Sequence, residues 1–424
     1  MLSQAENQLL TRVGPGTPMG TLMRRFWQPF ALAPELAGGA DSDPIRVRLL
    51  GEDLVAFRTA GGDFGLIQNN CPHRGASLFF GRNEEEGLRC VYHGWKFDYR
   101  GTCVDMPNEP AESDFKQKVQ ATAYPCVERG GVLWAYMGPP GSQNAPPDLE
   151  WTRVPPAHRF VSKRLQQCSY LQNVEGEVDS SHVSFLHSRG VADYSRSDSL
   201  AGPPEYMARD RAPRFFVLPT SYGMLIGARR TAEEDAYYWR ITQFLMPTYT
   251  MIPAEVGAPV AFTAAVPIDD EHMMGFTVTW HPDRQLTNAE VAAIESWTGI
   301  HTEVDPRTFK PVRNKENEYL IDRAWQRSGD SYTGIRGIRE EDLAVQESMG
   351  AVFDRSQEHL GSADLAVIAL RRRLLESVRS LAENGIEPAE AQHPESYAVR
   401  SAALVLPRDV AWHEGAADAL LWRS

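Results

Sequence analysis

Long apolar runs are missing from this 424-residue chain. Its longest, Gly131 to Gly138 and Met273 to Trp280, fall far short of the roughly 20 residues that span a bilayer, which excludes a membrane-spanning helix. Basic residues are in deficit: 43 Lys and Arg against 56 Asp and Glu leave a net charge of −13, which disfavours nucleic acid or an anionic membrane as the main partner. Cysteine is scarce and odd in number. Thiols at 71, 90, 103, 126 and 168 do not make a disulfide framework and stay available for metal. The start, Met1-Leu2-Ser3-Gln4-Ala5-Glu6, has no basic region followed by an apolar stretch, so the cytoplasm is the expected compartment. No Gly-x-Gly-x-x-Gly turn follows a strand. Gly14-Pro15-Gly16 has the wrong spacing and two neighbouring prolines, which places flavin and nicotinamide on a different protein.

With no repeat or low-complexity tract, organisation is read from turn punctuation and changes of period. The first forty residues read as helical and then extended. From Ile45 to about Met137, short β-branched and aromatic runs (Val47 to Leu50, Leu54 to Arg58, Phe64 to Gln68, Val132 to Met137) alternate with Gly, Asp and Asn turns, the pattern of a small antiparallel β domain. Gly138 to Pro147 is rich in Gly and Pro and marks a boundary. Beyond it, Tyr222 to Arg230, Tyr237 to Phe244, Ala261 to Pro267 and Gly275 to His281 read as strands of one sheet. Thr287-Asn288-Ala289-Glu290 has the form of a capping box, so a helix is expected there. A longer helix runs from about Asp364 to Gly385, with Leu365, Ile368, Leu374, Leu375, Val378 and Leu381 at near-helical spacing. Strands followed by long helices indicate an α+β second domain.

Two constellations carry chemistry. Cys71-Pro72-His73 and Cys90-Val91-Tyr92-His93 are separated by sixteen residues, and each loop offers one thiolate and one imidazole. Two facing loops of this kind can give both sulfurs to one metal and both nitrogens to its neighbour, which is the ligand set of a 2Fe-2S centre of Rieske type. A structural Cys2His2 zinc site is the alternative, although such sites usually pair Cys with Cys and His with His. The second constellation is Asp179-Ser180-Ser181-His182-Val183-Ser184-Phe185-Leu186-His187. On an unbroken helix His187 would lie about 140° round from His182, so the helix must be interrupted by a π-bulge or an end for both rings to converge. Two histidines and one carboxylate with open positions is the arrangement associated with non-haem Fe(II) and O2. Candidates for the carboxylate lie in Gly337 to Gly350, among Glu340, Glu341 and Asp342.

The segments Cys71-Pro72-His73-Arg74-Gly75 and Cys90-Val91-Tyr92-His93-Gly94-Trp95 resemble those of the Rieske non-haem iron oxygenases, in particular the alpha subunits of the phthalate 4,5-dioxygenase-like branch. The likeness covers most of residues 20 to 370. It implies an α+β chain: residues 1–40 as a helical and extended segment packed on the rest, 41–140 as an all-β Rieske [2Fe-2S] domain, and 141–424 as a helix-grip (START-like) catalytic domain with a central antiparallel sheet and C-terminal helices. Cys71 and Cys90 would hold one iron of the cluster and His73 and His93 the other, leaving Cys103, Cys126 and Cys168 as small apolar residues. The mononuclear iron would sit on His182, His187 and Asp342. Asp179 would bridge an iron histidine to a cluster histidine of the neighbouring subunit, which implies a homotrimer. Asn173, Glu175 and Glu177 are candidates for supporting the site.

Function follows the same resemblance. It implies the terminal oxygenase of a multi-component system that takes electrons from a separate NAD(P)H reductase, with or without a ferredoxin. With O2 it would dihydroxylate an aromatic carboxylate or O-demethylate a methoxylated one. An anionic substrate wants arginine. Arg229, Arg230 and Arg240 lie on the expected hairpin, and strand alternation puts Arg229 and Arg230 on opposite faces. Phe185, Trp239 and Phe244 would serve as pocket lining or core. Two rival readings remain: an electron-carrier module fused to a ligand-binding domain, and a zinc-dependent hydrolase.

Overall fold

The computed structural model describes residues 1–38, 42–110, 112–188 and 204–422. The chain opens with α1 (Gln4–Thr11), started by a Ser3/Glu6 capping box, and α2 (Pro18–Met23), whose proline sits where its missing N–H costs nothing. The strands β1 (Trp27–Leu32), β2 (Ile45–Leu49), β3 (Glu52–Arg58) and β4 (Phe64–Gln68) come next. Four three-residue strands follow: β5 (Arg82–Glu84), β6 (Gly87–Arg89), β7 (Lys96–Asp98) and β8 (Cys103–Asp105). With β9 (Cys126–Arg129) and β10 (Val132–Tyr136) they make three antiparallel sheets, ordered β1-β10-β9, β2-β3-β4 and β5-β6-β7-β8. The extended part of the first forty residues is thus β1, hydrogen-bonded to β10. The expected division after residue 40 lies outside the described residues.

The second half is built on one large sheet. Its members are β11 (Arg159–Gln166), β12 (Arg214–Thr220), β13 (Gly223–Thr231), β14 (Ala236–Leu245), β15 (Tyr249–Ile252), β16 (Val260–Pro267), β17 (Met273–Trp280) and β18 (Ala402–Pro407). The order is β11-β17-β16-β15-β14-β13-β12, with β18 paired to the first half of β14 and β15 to the second. Between β11 and β12 lies α3 (Tyr170–Val178). After β17 come α4 (Asn288–Glu295), opened by the Thr287/Glu290 capping box, then α5 (Ile338–Ser348) and α6 (Leu365–Asn384), which stops at Gly385 with φ +65°. Leu370, Leu374 and Val378 of α6 are fully buried, and the helix packs on α2, β12 and β13. Among the described residues, no helix is long and apolar enough to cross a membrane.

Every residue of β16 is buried, as are nearly all of β13, β14 and β17. Strands covered on both faces read as continuous apolar runs, so they were visible without alternation. The strands β5 to β8 are too short for any period, and β18 returns to the sheet from beyond the last long helix; neither was expected.

Candidate metal centres

Two loops of identical hydrogen bonding build the first centre. Between β4 and β5, Cys71 N–H donates to Ala76 O (2.8 Å) and Gly75 N–H to Cys71 O (2.9 Å). Between β6 and β7, Cys90 N–H donates to Trp95 O (2.8 Å) and Gly94 N–H to Cys90 O (3.0 Å). Each turn closes on a glycine with φ near +78°, a conformation that penalises any Cβ. The loops face one another. Cys71 and Cys90 are buried side by side, and the His73 and His93 rings stand 4.4 Å apart. His73 stacks on Trp95 (4.3 Å, 10°), whose indole N–H donates to Asn108 Oδ1 at 2.8 Å.

These residues fit an iron–sulfur cluster. Among the described residues, His73 Nδ1 is buried without a hydrogen-bond partner, an orphan that a metal would satisfy. Burial and the neighbouring Cys90 push the Cys71 thiol up to about 11, so at neutral pH a bound cation is what would hold it as thiolate. Cys103 and Cys168 are buried and Cys126 is half-buried.

The second centre depends on where α3 stops. The helix ends at Val178 because Asp179 turns its carboxylate back on the chain, accepting Ser181 N–H at 2.7 Å and His182 N–H at 3.3 Å. His182 then begins a single 3-10 turn, His182–Ser184, and the next turn carries His187. The helix end, not a π-bulge, is what brings the two rings to 5.1 Å, nearly perpendicular. From α5, Asp342 Oδ1 lies 3.2 Å from His187 Nε2 and 3.6 Å from His182 Nε2. One ligand atom of each residue falls within 4.8 Å of the others, the spacing of donors around a single ion.

The acidic run on α5 is buried throughout, not a solvated helix face. Glu341 accepts from His187 Nδ1 at 2.7 Å, which fixes the tautomer that leaves Nε2 as ligand. Thr333 Oγ1 donates to the other oxygen of Glu341. Asp342 Oδ2 is held at 3.3 Å by Arg339, which also pairs with Glu177. Burial alone would raise the Asp342 carboxyl, but His187, Arg339 and His182 hold it well below the usual range. For His187 burial works downward, and Asp342 and Glu341 outweigh it, raising the imidazole to about 9. Burial pushes Glu340 up to about 8; it faces away from the histidines, beside Gly337 and Arg313.

The remaining candidates separate clearly. Asn173 bonds Gln166 and Gln346, and Glu175 holds Arg355 and Arg371, so Glu175 serves an ion network and not the candidate metal site. Glu177, by contrast, reaches the centre through Arg339. Arg229 lies over the Phe216 and Tyr237 rings, away from the ligands. Arg230, fully buried on the opposite face, donates to Ser180 O at 2.6 Å and straps the chain that carries Asp179 and His182. Arg240 alone of the three lines the cavity in front of the ligands. That cavity, about 680 Å³ including its mouth, is also bounded by Val183, Ile252, Pro253, Ile300 and Ile338. Trp239 and Phe244 are core residues, and Phe185 is largely exposed. Sequence reasoning missed Arg339, Gln346 and the role of Glu341, although Arg339 and Gln346 lie three and four residues from Asp342 on one helix face.

Both halves of the chain match known families. Residues 26–125 match the Rieske [2Fe-2S] domain and residues 135–422 the LigXa C-terminal domain like family. The chain is 39% identical to the 3-chlorobenzoate-3,4-dioxygenase oxygenase subunit of Comamonas testosteroni, covering 96% of each. It is 38% identical to the phthalate 4,5-dioxygenase oxygenase subunit of Pseudomonas putida, over 98% of this chain and 94% of that one. Dicamba monooxygenase, in its crystal structure with dicamba, shares the fold with a TM-score of 0.60 at 18% identity, over 86% of this chain and 100% of that one. The electron-carrier and zinc-hydrolase readings therefore fall away. Two facing Cys-His loops, a second centre of two histidines and an aspartate, and full-length likeness to oxygenase subunits together mean that the chain belongs to the Rieske non-haem iron oxygenases, as an oxygenase subunit carrying a [2Fe-2S] cluster and a mononuclear iron.

Proposed function

We propose that the chain oxygenates an aromatic carboxylate, with dihydroxylation of the ring as the reaction. Cys71, His73, Cys90 and His93 hold the cluster in a domain spanning about 41–140, and His182, His187 and Asp342 hold the iron in the remainder. The observation that carries the reading is one cavity that joins the three iron ligands to a guanidinium, Arg240, across an apolar wall. When bound, the cluster supplies single electrons and the ferrous iron supplies open positions at which O2 is reduced.

The chain's own residues do the rest. Arg240 places a planar guanidinium fork, the shape that suits a carboxylate, on the cavity wall. Ile252, Ile300 and Ile338 bury the ring and exclude water. Glu341 and Arg339 orient His187 and Asp342. Two relatives 38 to 39% identical are dioxygenases named for chlorobenzoate and phthalate, which supports the substrate class.

Asp179 is read as the electron bridge between subunits of a trimer. In one chain its carboxylate meets Ser181 and His182, and no hydrogen bond or ion pair joins it to His73 or His93. Its side chain remains 24% exposed, leaving room for a second imidazole from a neighbour. A separate NAD(P)H reductase completes the balance: arene, O2, NADH and a proton give cis-diol and NAD⁺.

Oxygen uptake with reductase, NADH and a panel of benzoates and phthalates tests this reading. Expected are uptake matched by diol and, in Arg240→Met, a KM for the carboxylate raised about 100-fold with smaller change for a neutral arene. Equal use of neutral arenes by the unmodified protein would refute the carboxylate assignment.

A further inference from the structure

The cavity wall contains one amide whose donor end has been left unengaged. Gln346 lies four residues beyond Asp342 on α5, hence on the same helix face, about 5–6 Å away at Cβ. It is 4% exposed and lines the cavity. Its Oε1 accepts from two buried amides, Gln166 Nε2 at 2.7 Å and Asn173 Nδ2 at 3.2 Å. Because an amide is planar, with its oxygen and nitrogen on opposite sides, two bonds on Oε1 fix the direction of Nε2.

That direction is toward Gly176, another cavity residue. A Cβ on Gly176 would fall 2.5 Å from Nε2, so the amide occupies space that only glycine leaves open. Gly176 lies within a nine-residue helix, where glycine is disfavoured by about 1 kcal/mol relative to alanine, and its backbone φ does not require it. The residue is therefore explained by the amide it accommodates. Nε2 itself donates to no protein acceptor among the described residues.

We infer that Gln346 Nε2 is a specificity-determining donor for an acceptor oxygen on the substrate, distinct from the carboxylate that Arg240 receives. The preferred substrates are then aromatic acids with a second oxygen-bearing substituent, such as a further carboxylate, hydroxyl or ether, and not benzoates bearing only halogen or alkyl groups. A buried donor left without an acceptor is penalised, so a ligand lacking that oxygen is bound less well. This inference rests on the aromatic-carboxylate reading of the cavity.

Binding in the absence of O2 separates the two claims and removes any role of the amide toward dioxygen. The probes are 2-, 3- and 4-methoxybenzoate and the three ethylbenzoates, similar in size and differing by an oxygen in place of a methylene. The fully metallated protein should bind at least one methoxybenzoate about 10-fold more tightly than its ethyl counterpart. Gln346→Met should reduce that ratio to within about 2-fold of unity while ethylbenzoate affinity stays within about 3-fold. Gly176→Ala, which displaces the amide but keeps it, should do the same. No methoxy preference in the unmodified protein, or a preference that survives in Gln346→Met, overturns the inference. If Arg240→Met leaves all six affinities unchanged, the carboxylate reading fails instead; a methoxy preference lost only with Gln346 would still support the amide. If none of the six binds, both fall.

Discussion

Arg339 holds Asp342 from three residues earlier on the same helix, its guanidinium 3.3 Å from Oδ2, so that Oδ1 is the oxygen presented to both histidines. Both side chains are buried, and Glu177 closes the pair from α3. Replacing Arg339 by Met strands two buried carboxylates and frees Asp342 to rotate. Iron affinity should fall 10- to 100-fold, the usual cost of losing a partner behind a ligand. Metal analysis beside the cluster's paramagnetic signal checks this: iron from the second centre should be lost while the [2Fe-2S] signal per chain is retained. Loss of both signals together would mean that Arg339 supports the fold, not the ligand.

How much of this was legible in the sequence differs by centre. The proposed cluster ligands lie within two short loops, so spacing alone singled out Cys71, His73, Cys90 and His93, and the glycines beside them take φ near +78°. The second centre joins residues 155 positions apart, and period arguments cannot measure that distance. The pair His182 and His187 implied a broken helix, and Asp179 is the residue that breaks it. Asp342 was assigned by resemblance, because the acidic residues beside it looked like solvated helix surface when they are in fact buried. Local polarity does not reveal that Glu341 faces a histidine 154 residues away. Of the three hairpin arginines, alternation separated Arg229 from Arg230 correctly, but only the three-dimensional course of β14 shows that Arg240 meets the cavity.

Iron and a proton compete for His187. In the metal-free protein Asp342 and Glu341 raise its imidazole from 6.5 to about 9, so it is charged at neutral pH, whereas iron binds the neutral ring. Adding Fe(II) anaerobically to the apoprotein at pH 7.5 should release about one proton at this ring, measurable with a pH indicator in weak buffer, and the release should fall away as pH rises through about 9. A raised pKa stabilises the folded apoprotein fully below pH 6.5, and that stabilisation is lost as pH rises through 9. The loss is on the order of 3 kcal/mol. The melting temperature of the apoprotein should therefore fall across this window more steeply than that of the metallated form. Parallel curves would show that His187 is not charged.

Asp179→Asn preserves the turn, since an amide oxygen can still accept Ser181 N–H, but removes the negative charge beside His182. Both metals should stay bound, with the cluster's spectrum unaltered. Reoxidation of the reduced cluster in a single turnover should slow by at least 10-fold. An unchanged rate in that variant would remove Asp179 from the path between centres.

Gly75 and Gly94 hold equivalent places in the two cluster loops yet should tolerate alanine differently. Both have left-handed φ, +77° and +78°, so any side chain costs roughly 1–2 kcal/mol at either position. Around Gly75 the space is open: the nearest atom to an added Cβ is Asn70 Nδ2 at 4.0 Å. At Gly94 the same Cβ would lie 2.6 Å from Pro107 Cγ, and a proline ring cannot rotate aside. Relief must come from the loop, which carries Cys90 and His93. Gly75→Ala should therefore assemble the cluster with a modest loss of thermal stability, whereas Gly94→Ala should hold less than half the cluster per chain and lose it faster to a chelator. Visible absorbance per chain and its decay rate report both. Equal retention in the two variants would show that backbone conformation alone, and not the contact with Pro107, limits these loops.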